Sequence, residues 1–166
     1  MIVLGIDPGT QRAGYGFVEK TGNILRLLDA GILHAGRGTP PEVFSRIKSH
    51  LDALITKFHP DRIAIERLYF VKNQKTAMSV AEARGVIILT AGEYKIPVSE
   101  YNPNEIKLAI TGYGAADKRA VSKMVRIILR EPALSVLDDV SDALAVAIVA
   151  CGNLSPLSIR VEGLTP

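Results

Sequence analysis

The chain contains a single cysteine, Cys151, among its 166 residues. One cysteine cannot form an internal disulfide, and it stands at no metal-ligand spacing. Because Cys151 ends the apolar run 143–151, we predict a small buried side chain at this position. The sequence therefore excludes a disulfide-stapled fold and favours a reduced protein of the cytoplasm.

The sequence also lacks a long apolar segment, since no run approaches the ~20 residues that a helix needs to cross a bilayer. The apolar N-terminus reaches Asp7 at once, so we expect no signal peptide and no membrane contact. Hydrophobic residues make up 48% and charged residues 22% of the chain, which is typical of a folded protein. There is no internal repeat, low-complexity tract or linker, and the length suits one domain with a sizeable core.

Apolar periodicity predicts ten elements in the order β-β-β-α-β-α-β-α-α-α. The strands are expected at residues 1–6, 14–20, 24–34, 62–66 and 96–100. The helices are expected from 40 to just before Pro60, at about 76–92, at 102–112, from an N-cap at Asp117 to 130, and at about 138–152. This order indicates an α/β domain over residues 1–152, with a mixed five-stranded sheet whose first three strands are antiparallel and which helices flank. Residues 153–166 are expected to form a flexible C-terminal tail.

Acidic residues stand where two of these strands end and where the last helix begins. Asp7 follows the first strand and Glu66 follows the fourth, while Asp139 and Asp142 lie in the first turn of the last helix. Functional groups gather at strand ends in open α/β sheets, and helical residues three apart share a face. If the first and fourth strands are neighbours under that helix, the four carboxylates converge.

Four carboxylates without a nearby histidine or cysteine suit Mg²⁺ or Mn²⁺ rather than zinc. Two such ions, ~3.5–4 Å apart, can activate a water and stabilise the leaving oxygen of a phosphodiester, so no protein nucleophile is needed. The alternative is that each acid is a turn residue or complements a helix dipole. Helical spacing also leaves two partners open for Asp142, since Asp138 and Asp139 lie four and three residues before it.

The net charge of +3 is too small to indicate a nucleic-acid partner, but its distribution is uneven. Residues 103–130 hold six cations and two acids, a surplus of four, which leaves −1 for the rest of the chain. Four of these cations share one face of the predicted helix that starts at Asp117: Arg119, Lys123, Arg126 and Arg130. The alternative is a solvated helix face, but the concentration of charge favours contacts with DNA phosphates.

Four groups of residues, in the same order along the chain, resemble the motifs of RuvC-type Holliday junction resolvases. They are Gly-Ile-Asp-Pro-Gly at 5–9 with Gly-Tyr-Gly at 14–16, the segment 66–73 with 77 and 83–85, the segment 101–118 with its lysines, and Asp-Val-Ser-Asp-Ala-Leu-Ala at 139–145. The resemblance covers residues 1 to about 152. It implies a ribonuclease-H-like fold, a symmetric homodimer and a branch-migration motor complex as a partner.

The same resemblance implies an endonuclease that makes paired, metal-dependent nicks in opposing strands of a four-way junction during recombination and repair. It places two Mg²⁺ or Mn²⁺ ions on Asp7, Glu66, Asp139 and Asp142, with Lys107 and Lys118 as helper lysines. Tyr69 falls where the family has an aromatic residue that stacks on bases at the opened crossover. We assign further DNA contacts to Lys72, Asn73, Arg84, Arg119, Lys123 and Arg126.

The small residues of the second predicted helix offer a candidate dimer interface: Ala77, Ser79, Ala81, Ala83 and Gly85. The sequence does not separate this interpretation from close packing of the helix on its own sheet.

Three other functions are compatible with parts of the sequence. An ATP-binding domain of the actin and sugar-kinase type shares the strand-Asp-x-Gly-Thr start at 7–10, but it requires two such domains and the chain has one motif. A related nuclease that processes ribosomal RNA precursors is nearer, although the segment 66–84 favours the junction resolvase. A non-catalytic junction-binding module is disfavoured because all four acids are intact.

Overall fold

A computed structural model of the protein describes residues 1–9, 12–68, 74–134, 136–152 and 157–159. The strands are β1 (Ile2–Asp7), β2 (Arg12–Thr21), β3 (Ile24–His34), β4 (Arg62–Glu66), β5 (Val98–Tyr101) and β6 (Leu157–Ile159). The helices are α1 (Pro40–Phe58), α2 (Gln74–Glu93), α3 (Pro103–Thr111), α4 (Lys118–Leu129) and α5 (Asp138–Cys151). None of the helices within these residues is long and apolar enough to cross a bilayer.

All six strands belong to one sheet with the order β3-β2-β1-β4-β5-β6. Strands β1, β2 and β3 form an antiparallel meander, and β4 and β5 run parallel to β1. The predicted α/β class, the mixed sheet and its antiparallel first three strands are therefore confirmed.

Within the described part of the chain the sheet has one strand more than the five predicted, because β6 pairs antiparallel with the edge of β5. The sequence pattern predicts a flexible tail at these residues. Three residues are too few to show an alternating pattern, and β6 forms because the edge of β5 offers backbone groups to pair with. The rest of the predicted tail, 153–156 and 160–166, lies outside the described residues.

The sheet lies between two helical layers, because successive strand residues point to opposite faces. Leu4, Ile6, Ile63 and Ile65 are fully buried in the cluster that contains α1 and α2. Val3 and Ala64 are buried in the other cluster, which contains α3, α4 and α5. The alternation therefore directs the residues that end β1 and β4, at positions 7 and 66, toward the layer of α5.

Helix α5 packs closely on the sheet because glycines face it. A side chain at Gly5 would collide with the backbone of Ala143, and one at Gly14 would collide with the backbone of Asp139. From Ala143 to Cys151 every residue of the helix is buried. The glycines thus hold the first turn of α5 directly over the sheet, beside the end of β1.

The helix boundaries follow capping residues that are visible in the sequence. Asp117 caps α4 as predicted, since its side chain accepts a hydrogen bond from the backbone N–H of Ala120 at 2.8 Å. Asn102 caps α3 in the same way, through the N–H of Asn104 at 2.9 Å. Both caps stabilise the ends of helices that border the site described next.

Candidate active site

The topology brings Asp7 and Glu66 together. They end two adjacent parallel strands, whose paired residues run up to Ile6 beside Ile65. Parallel strands end at the same edge of a sheet, and the alternation places both acids on the face that α5 covers. This is the arrangement that the sequence analysis required for convergent carboxylates.

A cavity of about 280 Å³ opens at this edge of the sheet. Its charged lining consists of three of the four predicted acids and both predicted lysines: Asp7, Glu66, Asp142, Lys107 and Lys118. Its apolar wall is formed by Pro103, Ile106, Val121 and Ala145. The structure therefore brings five of the six predicted catalytic residues to one cavity.

Burial and mutual repulsion perturb the two acids at the strand ends. Burial, followed by the charges of Glu66, Asp142 and Asp139, raises the pKa of Asp7 from 3.8 to about 8. Burial also raises the pKa of Glu66, and the charge of Asp142 adds to this effect, while Lys118 and Lys107 oppose it. Carboxylates that are crowded in this way repel one another, so the site favours the binding of cations.

Lys118 supplies a cation from the protein itself. Its Nζ donates to Oδ2 of Asp142 at 3.0 Å. Burial lowers the pKa of Lys118, but the hydrogen bond and charge of Asp142, followed by the charges of Asp138 and Asp7, outweigh burial and raise the pKa overall. Lys118 therefore stays an ammonium group at the cavity.

Asp139, the fourth predicted ligand, is absent from the cavity lining. Its Oδ2 pairs with Nε of Arg12 at 2.7 Å, although its charge still contributes to the raised pKa of Asp7. Asp139 thus lies beside the other acids with its carboxylate engaged by a guanidinium.

Asp138 is exposed and is the first residue of α5. An acid at the start of a helix often caps its exposed backbone N–H groups, but the N-cap of α5 is Leu137, whose side chain makes no capping hydrogen bond. Asp138 sits one position too far along the chain for the cap. Its charge still lies at the positive end of the helix dipole.

The donor set suits a hard divalent cation, since among the described residues the cavity is lined by carboxylates and by no sulfur or imidazole. Within the residues that the structure describes, no three acidic, histidine or cysteine side chains close on a single point as they stand. The ion pairs explain this, because Asp142 and Asp139 are turned to Lys118 and Arg12. Three carboxylates that line one cavity, with a fourth beside them, offer oxygen donors that fit the predicted ions.

The residues predicted to contact DNA are dispersed. Tyr69, Lys72 and Asn73 lie outside the described residues. Arg119 and Lys123 are exposed on α4, whereas Val121 and Val125 are buried, so these two cations lie on the solvent face as predicted. Arg130, predicted on the same helical face, instead follows the end of α4 at Leu129 in a left-handed backbone conformation. Arg126 is partly buried on the same helix, and its Nε donates to the carbonyl of Ser122 at 3.3 Å.

Arg84 occupies a different setting from the other predicted DNA contacts. It forms an ion pair with Glu100 of β5, and its side chain is only 21% exposed. Arg67 lies near the same carboxylate, with Nε at 3.7 Å from Oε2. The pair links α2 to β5, which gives Arg84 a structural contact that the sequence pattern did not reveal.

The small residues of α2, which the sequence assigns either to a dimer interface or to packing on the sheet, lie on two different faces of the helix. Ala83, Ile87 and Ala91 are buried against the protein's own core. On the opposite side Met78 and Leu89 are 67% and 60% exposed. Gly85 lies on this outer side, and a side chain there would meet nothing within 4 Å. The small residues are therefore divided between the two faces.

Arg12 is a charged neighbour of the acids that the sequence pattern did not reveal. A signal was present, because Arg12 stands two and four residues before Gly14 and Gly16, both of which pack against α5. Alternation along a strand gives all three residues the same face.

Comparison with known proteins identifies the family. The model of the family described as "Crossover junction endodeoxyribonuclease RuvC" matches residues 3–150. The chain belongs to the RuvC family. Relatives with this description include a protein of Roseiflexus sp. (strain RS-1), 48% identical over 161 residues that cover 96% of this chain and 95% of that protein. A second, from Chloroflexus aggregans, is 46% identical over 89% of this chain and 91% of its own length.

Solved structures agree with this assignment. The chain is similar to T. thermophilus RuvC in complex with Holliday junction substrate, with a TM-score of 0.84, 33% identity and coverage of 89% of this chain and 91% of that one. A second T. thermophilus RuvC structure gives the same TM-score at 32% identity, over 95% of this chain. The predicted ribonuclease-H-like fold is thereby confirmed. RuvC membership makes the protein an endonuclease of the crossover junction class and implies dependence on a divalent metal.

Proposed function

We propose that this protein resolves Holliday junctions by paired, symmetric nicks in two opposing strands, in recombination and repair. The observation that carries the proposal is the cavity that joins three acids to two lysines, in a chain similar over 89% of its length to a RuvC solved with junction DNA. The nuclease domain comprises residues 1–152.

Asp7, Glu66, Asp139 and Asp142 are the proposed ligands of two Mg²⁺ or Mn²⁺ ions. When bound, such ions supply the Lewis acidity that activates water and stabilises the leaving oxygen of a phosphodiester. The four acids contribute negative charge that nearby side chains only partly neutralise. Asp7 and Glu66 are fixed by their strands, whereas Asp139 and Asp142 change partners by rotating their side chains.

Lys107 and Lys118 are proposed to hold the scissile phosphate. Lys107 lines the cavity from α3 and Lys118 lines it from α4. A fixed ammonium group beside the reacting phosphate offsets the charge that develops there. The apolar residues that line the same cavity lower the local dielectric constant, which strengthens this attraction.

The remaining DNA contacts are proposed to lie around this cavity. Arg119, Lys123 and Arg126 on α4 would bind the phosphates of the junction arms, because they belong to the helix that carries Lys118. Tyr69 would stack on a base at the crossover, which is worth about 1–3 kcal/mol. Lys72 and Asn73 follow it in the chain and are proposed neighbours on the DNA. Arg84 is proposed to affect DNA binding only indirectly, through helix α2, which its ion pair anchors to Glu100 of β5.

A homodimer is part of the proposal, because two equivalent scissile strands call for two sites related by a two-fold axis. The outer face of α2 is the proposed interface. Met78 and Leu89 are exposed there, and Gly85 between them allows close approach of a second helix. We also propose that the dimer works in the cytoplasm beside a branch-migration motor.

The dimer predicts that the purified protein sediments at twice its 17.9 kDa chain mass at micromolar concentration. Leu89→Glu should produce the monomer, because a carboxylate would be buried in the interface without a partner. Ile127→Glu is the matched control, since Ile127 is 57% exposed on another helix and Leu89 is 60% exposed. A monomer in both variants, or a dimer in both, would argue against this interface.

The function is tested with a synthetic four-way junction, a linear duplex of the same sequence and a structured RNA. With Mg²⁺ or Mn²⁺, we expect nicks at symmetric positions in two opposing strands of the junction, and little cleavage of the other substrates. EDTA should stop the reaction. Preferred cleavage of the RNA would instead support the ribosomal RNA-processing alternative and refute the junction proposal.

A further inference from the structure

Strand β2 runs along helix α5, and one of its faces contacts the helix from end to end. Gly14 faces the backbone of Asp139, and Gly16 faces the side chain of Leu144. At the far end Nζ of Lys20 donates to the carbonyl of Cys151 at 2.7 Å. Alternation therefore places Arg12 on this face, at the end of α5 that borders the cavity.

Lys20 and Arg12, the two cations of this face, lie at opposite ends of the α5 dipole. Lys20 lies at the C-terminal end of α5, where a positive charge is favoured. Arg12 lies at the N-terminal end, where the dipole disfavours it. The position of Arg12 is thus explained by the carboxylate of Asp139, whose Oδ2 lies 2.7 Å from its Nε.

The pair is open to solvent, with side-chain exposures of 57% for Arg12 and 26% for Asp139. An ion pair this exposed is weak and breaks easily. Asp139 is also the only one of the four proposed ligands that does not line the cavity. Asp142 lines the cavity while it is paired with Lys118, whereas Asp139 is paired with the guanidinium of Arg12 and does not line the cavity.

We propose that Arg12 is a positioning residue that competes with the divalent ion for Asp139 and thereby sets the affinity of the site for metal. This inference rests on the proposed function, in which Asp139 is a ligand. Arg12 keeps Asp139 paired when ions are scarce, and Asp139 exchanges the guanidinium for an ion as their concentration rises. The guanidinium of Arg12 is a reversible competitor, because exposed ion pairs are weak.

The test measures Mn²⁺ binding to the full-length protein by calorimetry, without DNA. Arg12→Gln removes the competitor, so Mn²⁺ should bind about two- to five-fold more tightly, the range expected from an exposed ion pair. Arg26→Gln makes the same change in net charge at an exposed position of β3, and should bind Mn²⁺ like the wild type. Weaker or unchanged binding in Arg12→Gln would overturn the inference, as would equal tightening in Arg26→Gln.

A double-mutant cycle separates this inference from the proposed function. Asp139→Asn should weaken Mn²⁺ binding. Adding Arg12→Gln to this variant should have no further effect, because the carboxylate for which Arg12 and Mn²⁺ compete is gone. Full tightening by Arg12→Gln in the Asp139→Asn background would refute the competition alone. Wild-type Mn²⁺ affinity in Asp139→Asn would instead refute the assignment of Asp139 as a ligand.

Discussion

Replacing Asp7 with asparagine should abolish junction cleavage and leave junction binding intact. The substitution keeps the shape of the side chain at the end of β1 and removes its negative charge, which interacts with the charges of the other three acids and of Lys118. We expect cleavage to fall by at least about 10²–10³-fold, the loss seen when a single electrostatic contact to a transition state is removed. Binding should persist because it depends on cations elsewhere on the surface. Single-turnover cleavage and gel-shift binding measure the two effects, and retained metal-dependent cutting would contradict the assignment.

The raised pKa of Asp7 gives the same variant a second readout that does not depend on catalysis. In the folded protein burial and neighbouring acids raise this pKa from 3.8 to about 8, so folding favours the protonated form. The carboxylate therefore costs stability progressively as the pH rises from about 4 to about 8. Without metal, Asp7→Asn should melt above the wild type at pH 8, and the difference should shrink toward pH 4. Mn²⁺ should raise the melting temperature of the wild type more than that of the variant.

The positions of Asp7 and Glu66 could be predicted because they depend on local patterns. Each acid ends a short buried strand that reads as a continuous apolar run, and such a run fixes where the backbone emerges at the sheet edge. The sequence could also supply the caps of α3 and α4, since a cap and its helix are adjacent in the chain. Sequence periodicity therefore determined most of the fold and two of the acids.

The features that could not be predicted join residues far apart in the chain. Arg12 and Asp139 meet only because glycines let α5 settle on β2, and Arg84 meets Glu100 only because α2 packs near β5. Strand alternation indicates the face on which Arg12 lies, but no periodic pattern encodes the partner that its side chain meets there. Lys107 and Lys118 were found through the family resemblance, since a lysine on a short helix has no local mark that sets it apart from other surface lysines.

The last prediction separates two adjacent acids that helical spacing could not distinguish. Asp138 and Asp139 are both in the first turn of α5, but their environments differ. Asp139 is partly buried, and its charge contributes to the raised pKa of Asp7, whereas Asp138 is exposed and its charge acts on Lys118. A ligand of the proposed ions has to approach Asp7. The environments therefore favour Asp139, in agreement with the family motif.

Asp139→Asn should destroy cleavage, and Asp138→Asn should leave it near the wild-type rate. The melting temperatures should differ in the opposite direction, with the inactive variant at least as stable as the active one. In Asp139→Asn the loss of an exposed ion pair with Arg12 is offset by relief of repulsion with Asp7, so the melting temperature should stay within about 2–4 °C of the wild type or rise. In Asp138→Asn an acid at the positive end of the α5 dipole is lost, so the melting temperature should fall slightly. Cleavage assays and thermal melts on the two isosteric variants measure this. If Asp138→Asn were inactive and Asp139→Asn active, the fourth ligand would be Asp138, while the roles of Asp7, Glu66 and Asp142 would stand.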